Sequence, residues 1–370
     1  MRSPDAEARE GHAAGSEMRE RTELVRRVTG SRGARRIEQL ATLWSGYGSI
    51  ARYALEGGPA PTVVVKSVDP RRKQSHPRGF GSMRSHERKL ASYAVERSFY
   101  DTYAPRCSGF SRVPKSFYTE QREARFLFVL EDLDQSGFAG RAERLNWPQV
   151  RSCLAWLAHF HANFLVDRTS GADLRPRCDG LWDVGTYWHL ATRPDELGAM
   201  PDGPLKEAAA LLDHRLREVR FSTLVHGDAK SQNFCFAEPT EQDFCCTESA
   251  EDDALASRGV AAVDFQYVGM GCAMKDVAYF LSSCYDERDC ESHAERALDF
   301  YFETLRQALS TRVQRDEGWV ARAEAVETEW RAMYPLAWAD FVRFLLGWAP
   351  GHFKLHGYSL RMTKRALSCL

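Results

Sequence analysis

Apolar positions along the chain follow two spacings, and each predicts an element. After a charged, helix-like segment around Glu23 to Leu43, "LWSGYGSIARYAL" and "PTVVVKSV" read as strand, glycine turn and β-branched strand. The connection "DPRRKQSHPRGFGSMRSH" has the composition of a loop. From Glu87 to Tyr103, "ERKLASYAVERSFYDTY", apolar and aromatic residues return at helical spacing, and "ARFLFVLEDL" predicts a further strand followed by a turn. The stretch "NWPQVRSCLAWLAHFHANFL" carries the apolar stripe of a long amphipathic helix, with Asn146 as its cap and Pro148 in its first turn.

Helix dominates from there on. The exception is two strand-like pieces, "STLVHGD" to "NFCFA" and "GVAAVDFQYVG", separated by the acidic stretch "EPTEQDFCCTESAEDDALASRG". Residues 238–258 of that stretch read as a solvated insertion. From Lys275 to Leu370 the pattern is helical. A chain of 370 residues exceeds what one core comfortably fills. The expected organisation is a disordered charged tail over 1–22, a smaller α+β region over 23–134, and a larger, mainly helical region over 135–370.

Charge narrows the partners. With 50 Lys and Arg against 51 Asp and Glu, the net charge of −1 gives no reason to expect a polyanion, so nucleic acid is not an expected partner. The ten cysteines contain no C-x-x-C pair, and only Cys245 and Cys246 are adjacent. This spacing suggests neither a zinc site nor a disulfide framework, and reduced thiols in a cytosol are the expectation. The amino terminus lacks the apolar core of a secretory signal, and no run approaches the roughly 20 apolar residues of a membrane span. A soluble cytoplasmic protein without a membrane partner is expected.

The chemistry concentrates in "LVHGDAKSQNFCF". Buried charge is costly unless paired or reactive, yet this segment sets His, Asp, Lys, Gln and Asn between apolar flanks. Asp228 and Asn233 lie five apart, with Lys230 between them, and a second Asp follows in "VDFQ" at Asp264. An Asp and an Asn on one loop, with an Asp at the end of a neighbouring strand, are a base and oxygen ligands suited to magnesium and phosphate.

The pattern H-G-D-x-x-x-x-N followed by D-F resembles the catalytic core of the aminoglycoside and choline phosphotransferases. With D-F-Q it is most similar to the ecdysteroid-kinase-like branch. The resemblance runs from about Gly46 to the end of the chain. It implies an α+β, bilobal protein-kinase-like fold, with a small β-sheet-containing N-lobe that binds nucleotide and a larger, mainly helical C-lobe. It also implies ATP and Mg2+ as cofactors and a small-molecule hydroxyl as acceptor.

The resemblance assigns roles along the chain. In "SGYGS", Gly46, Gly48 and Ser49 would approach the nucleotide phosphates, although by itself this is an ordinary hairpin turn. Lys66 would hold the α- and β-phosphates, although by itself it is a lysine snorkelling from an edge strand. Glu96 would be its partner, with Glu87 as the competitor. Backbone groups of Glu131 to Leu133 would read adenine. Asp228 would be the base, Asn233 and Asp264 the metal ligands, and Lys230 a neutraliser of the transferring phosphoryl group or else the partner of a local acid. His226 would brace the loop and Asp276 would anchor it from below, while Gln266 stands where kinases have glycine.

For the acceptor, Trp182, Tyr187, Trp188, Trp348 and His352 are either core or an aromatic wall, and Trp188, Trp348 and His352 are the candidates carried forward. Asp340, Arg343 and Lys354 are polar groups nearby without an assigned role. The basic connection, with Arg71, Arg72, Lys73, His76, Arg78, Arg84 and His86, is a solvated loop or a cover for an anion. Two rival readings are a catalytically silent nucleotide-binding pseudokinase and a protein kinase. The latter is disfavoured by His-Gly-Asp in place of His-Arg-Asp and by the lack of an A-P-E triplet.

Overall fold

A computed structural model describes residues 4–43, 46–70, 83–107, 109–170, 178–237, 259–312 and 319–370. The acidic insertion, and Arg71, Arg72, Lys73, His76 and Arg78 of the basic connection, lie outside the described residues. The chain forms two compact units: Met1–Leu90 with Pro114–Gly137, and Ala91–Val113 with Phe138–Leu370.

The first unit opens with helix α1 (Pro4–Thr29). A disordered tail was expected here. The segment is instead rich in strong helix formers, Ala, Glu, Arg, Leu and Met, and Glu23 pairs with Arg26 one turn on at 2.5 Å. Val25 near its end is fully buried with Tyr53, Val63, Val65 and Val129, so packing adds to propensity. The helix stops at Gly30, whose φ of +65° closes a Schellman turn: Gly30 N–H donates to Arg27 O and Ser31 N–H to Arg26 O.

The expected helix around Glu23 to Leu43 therefore ends early, and Gly33–Thr42 is strand β1. As an edge strand, mostly exposed, it lacks the apolar alternation that marks a half-buried strand. Strands β2 (Gly48–Glu56) and β3 (Thr62–Val68) follow, then α2 (Met83–Ser98), which takes in Arg84 and His86. Strands β4 (Ser116–Arg122) and β5 (Arg125–Glu131) complete an antiparallel sheet of order β1-β2-β3-β5-β4.

In the second unit, α2 ends in a wide turn at Phe99–Tyr103. Helix α3 (Trp147–Phe164) is capped as expected: Asn146 Oδ1 accepts Gln149 N–H at 2.9 Å and Gln149 Oε1 accepts Asn146 N–H at 3.1 Å. Then come β6 (Val166–Asp167), the short helices α4 (Pro194–Ala199) and α5 (Pro204–Glu207), and α6 (Ala209–Arg217). Strands β7 (Phe221–Val225) and β8 (Phe234–Phe236) flank the His-Gly-Asp loop, and β9 (Val260–Ala262) and β10 (Gly269–Gly271) flank the Asp-Phe-Gln turn. β8 pairs with β9 and β10 with β7, both antiparallel, which brings the two loops together. Helices α7 (Met274–Cys284), α8 (Glu287–Arg312), α9 (Trp319–Trp348) and α10 (Gly357–Leu367) supply the rest of the core.

Among the described residues no helix is long and apolar enough to cross a membrane. All eight cysteines among them are free thiols.

Candidate active site

The loop after β7 is clamped through its backbone. The fully buried Asp276, in the first turn of α7, accepts the N–H groups of His226 at 2.5 Å and Gly227 at 2.9 Å. His161 on α3 donates Nε2–H to the same carboxylate at 3.2 Å, and Tyr301 donates its hydroxyl to His161 Nδ1 at 2.8 Å. A buried carboxylate with three donors is satisfied: two of them fix the loop backbone, and His161 ties the carboxylate to α3.

His226 holds the loop from the other side. Its Nε2–H donates to Val263 O at 3.0 Å, and its Nδ1 accepts the Asp228 N–H at 3.3 Å. The Nε2–H tautomer is the one these partners require, and the ring ties the Asp228 loop to the residue before Asp264. Gly227 has φ +78°, and a Cβ there would stand 2.0 Å from Tyr267 O. An arginine at this position, as in His-Arg-Asp loops, has no room.

Asp228 is buried at the loop's tip. Its Oδ2 accepts Lys230 Nζ at 2.8 Å and Asn233 Nδ2 at 3.2 Å, and its carbonyl accepts Asn233 Nδ2 at 2.8 Å. With the Asn233 amide N–H group turned to Asp228, its Oδ1 is the atom left for a cation. Burial works against the Lys230 ammonium, but the Asp228 carboxylate, aided by Asp264, outweighs it and holds the lysine above its ordinary range. The local acid that Lys230 pairs with is Asp228.

Asp264 follows β9 with φ +69°, a conformation that costs a non-glycine residue about 1–2 kcal/mol. Gln266 holds it there, donating Nε2–H to Asp264 Oδ1 at 2.5 Å while its own Oε1 accepts Ser92 Oγ–H of α2 at 3.1 Å. Phe265 between them stacks on Phe99 with centroids 3.9 Å apart and lies 4.7 Å from His226. Glu96, one turn before Phe99, is buried, whereas Glu87 is exposed. Burial raises the Tyr100 hydroxyl well above its ordinary range, and Glu96 and Asp264 add to the rise, so both carboxylates act on that one hydroxyl.

The second unit thus brings together Glu96, His226, Asp228, Lys230, Asn233, Asp264 and Asp276. Among the described residues no three His, Cys, Asp or Glu side chains form a metal cage. Asn233 Oδ1 and the Asp264 carboxylate are donors of the kind that suits magnesium, which takes few protein ligands and completes its octahedron with water and phosphate.

The other residues expected to bind nucleotide lie in the first unit. Lys66 is buried on β3 between Ile50 and Phe128 in register, with Nζ 5.8 Å from the Phe128 centroid. Gly46 (φ +71°) turns the β1–β2 hairpin, and a Cβ on Gly48 would meet Ser67 O at 1.9 Å. The lack of a side chain at Gly48 is therefore already required by the approach of β2 to β3, and Ser49 pairs with Thr42 and Ser67 in the same ladder. Glu131 donates its N–H to Lys115 O at 2.8 Å, which takes up that amide, and Leu133 is buried two residues on.

One acceptor candidate changes character. Trp188 is fully buried among Tyr279, Phe341, Phe344 and Leu345, and its Nε1–H donates to Asp340 Oδ2 at 3.0 Å. It is core, held by a buried charge cluster in which Asp340 also accepts Arg343 at 2.8 Å and faces Lys275 Nζ at 3.5 Å. Trp348 and His352 are half-buried, Trp348 stacking on Phe344 at 5.5 Å. His161 and Ser92 were missed by sequence reasoning. The only signal for His161 was a polar residue on the apolar stripe of α3, and Ser92 gave none, since its partner lies 174 residues away.

A family model described as the ecdysteroid kinase-like family matches residues 74–170 and 205–312. No curated protein matches. Among solved structures, amicoumacin kinase hAmiN in complex with AMP-PNP, Ca2+ and Ami is similar at 15% identity and TM-score 0.43, over 89% of this chain and 86% of that one. Choline kinase LicA from Streptococcus pneumoniae is similar at 14% identity and TM-score 0.41, over 90% and 95% of the two chains. Aminoglycoside phosphotransferase APH(4)-Ia is similar at 14% identity and TM-score 0.42, over 85% and 97%. The family match spans more than half of the sequence and includes the whole Asp228 loop, and the chain belongs to the ecdysteroid kinase-like family.

Proposed function

We propose that this protein transfers the γ-phosphoryl group of ATP to a hydroxyl of a small molecule, with magnesium as the cofactor. The observation that carries the reading is the convergence on one buried carboxylate: Asp228 Oδ2 accepts both Lys230 and Asn233, on a loop whose backbone is clamped by Asp276. Asp228 orients the acceptor hydroxyl and takes its proton as the oxygen attacks phosphorus. Lys230, 2.8 Å from that carboxylate, is assigned to neutralise the phosphoryl oxygens.

Asn233 and Asp264 hold the metal, and Lys66 with Glu96 is assigned to the nucleotide phosphates. When bound, magnesium neutralises phosphate oxygens and orients them for in-line transfer. Chemistry of this kind depends mainly on positioning, which fits a loop whose backbone is held by Asp276 and His226.

The test is a mass-spectrometric search for new phosphorylated products. Purified protein, magnesium and ATP are incubated with a metabolite extract and a panel of amino alcohols, sugars and sterols, beside an Asp228→Asn control. Products made by the wild type alone establish the reaction. Magnesium-dependent ATP binding without any product, across the extract and the panel, favours the catalytically silent reading.

A further inference from the structure

Among the described residues, Lys354 is a buried cation that the reaction proposed above does not use. Lys354, between α9 and α10, is only 8% exposed. Its backbone is tied on both sides: its N–H donates to His352 Nδ1 at 3.2 Å and its carbonyl accepts Ser359 Oγ–H at 2.6 Å. Its Nζ lies 4.6 Å from the ring centroid of Tyr279 and 5.4 Å from that of Phe341. Among the described residues no carboxylate reaches it at salt-bridge distance.

Burying an ammonium without an ionic partner costs several kcal/mol, and a cation–π contact returns only about 2 kcal/mol of that. The carboxylate that does act on Lys354 is Asp228, and Lys230 opposes it. Asp228 is already bound to Lys230, so the carboxylate that acts on Lys354 is also engaged by a second lysine. Burial brings its ammonium down to about 8, with Asp228 working against the fall, so the side chain is still mostly charged at neutral pH. Tyr279 belongs to the same group: its hydroxyl is raised by burial, and Tyr187 and Asp228 add to the rise.

We propose that Lys354 is an anion-binding residue on the acceptor side of Asp228, favouring a small-molecule acceptor that bears a carboxylate, phosphate or sulfate and disfavouring a cationic one. The acceptor side is assigned because Lys230, Asn233 and Asp264 already serve phosphate and metal, whereas Lys354 stands on an aromatic floor formed by α7 and α9. The inference rests on the phosphotransferase reading of Asp228.

The test compares three ligands of one size and different charge, benzoate, benzyl alcohol and benzylammonium, binding to the full chain at pH 7. Nitrate, a planar anion, is titrated separately with and without MgADP. Wild type, Lys354→Met and Lys354→Arg are compared. The wild type is expected to bind benzoate about tenfold more tightly than benzylammonium, Lys354→Met to lose that preference, and Lys354→Arg to keep it.

Equal benzoate binding by wild type and Lys354→Met overturns the proposal. So does a Met variant that loses only MgADP-dependent nitrate binding, since the anion would then be the transferring phosphoryl group. Failure of the wild type to bind MgADP would count against the phosphotransferase reading instead, and the benzoate comparison, which needs no nucleotide, would still decide for or against an anion site at Lys354.

Discussion

Gln266 donates its side-chain amide to Asp264 at 2.5 Å and accepts Ser92 Oγ–H at 3.1 Å, so the residue that replaces a kinase glycine fixes the orientation of the carboxylate before it. Residues that orient a metal ligand typically contribute 10-fold to 100-fold to metal affinity. Gln266→Ala is therefore expected to weaken magnesium-dependent ADP binding by about tenfold and to leave metal-free ADP binding unchanged. Calorimetric titration with and without magnesium measures both. An Asp264→Ala control separates the two ideas: if it leaves the magnesium dependence intact, the metal site itself is misassigned.

Removing the Asp276 carboxylate strands the buried N–H groups of His226 and Gly227 and the donor of His161 together. Asp276→Ala is expected to destabilise the fold by about 3–5 kcal/mol, the range for breaking a buried charged network. Urea denaturation measures this. A loss below about 1 kcal/mol would mean that the loop holds its shape without the clamp.

A similar loss is expected at Asp340, for a different reason. Its carboxylate lies with Arg343 and Lys275, and the two cations pull it below the usual range against the effect of burial. Asp340→Ala leaves both cations buried and uncompensated, whereas replacing Lys275 as well restores part of the balance. The double variant Asp340→Leu with Lys275→Met is expected to recover at least about 1 kcal/mol over the Ala variant. A double variant no more stable than Asp340→Ala would rule out that coupling.

Lys354 links stability to pH with a definite sign. Its ammonium falls from 10.5 to about 8 in the folded chain, so between these values the unfolded chain binds more protons and stability rises with pH. The penalty is full below about pH 8. The groups that act on it are Asp228, Lys230 and Cys284, and burial keeps that thiol in its neutral form. Lys354→Met is therefore expected to be more stable than wild type at pH 7 by about 1–3 kcal/mol, with the difference shrinking toward pH 10. Benzoate affinity of the wild type should fall as pH rises through about 8. Denaturation and ligand titration at three pH values measure both trends.

What could be read from the sequence divides by the range of the interactions involved. Helix α3 was legible because its cap lies three residues from its partner, and β7 and β8 because their apolar residues bracket the polar loop. Strand β1 was misread because an exposed edge strand satisfies its backbone through β2 and needs no apolar alternation. The helix over 4–29 was missed because its sequence is polar and charged like a tail, while Val25 and Val28, which pack on the sheet, come only near its end. Trp188 was offered to the acceptor because composition shows an aromatic residue without showing which way it faces. The bonds from Asp276 to the loop and from Gln266 to Ser92 join positions 49 or more residues apart, beyond the reach of any local pattern.

The space at Gly227 couples three segments of the chain. The carbonyl of Tyr267 that would meet a Cβ there also accepts the N–H of Thr186, and the Gly227 carbonyl accepts that of Tyr187. Three segments close on a point where only a hydrogen atom fits. A side chain at 227 is therefore accommodated only if the segments of Tyr267 and Thr186 move with it.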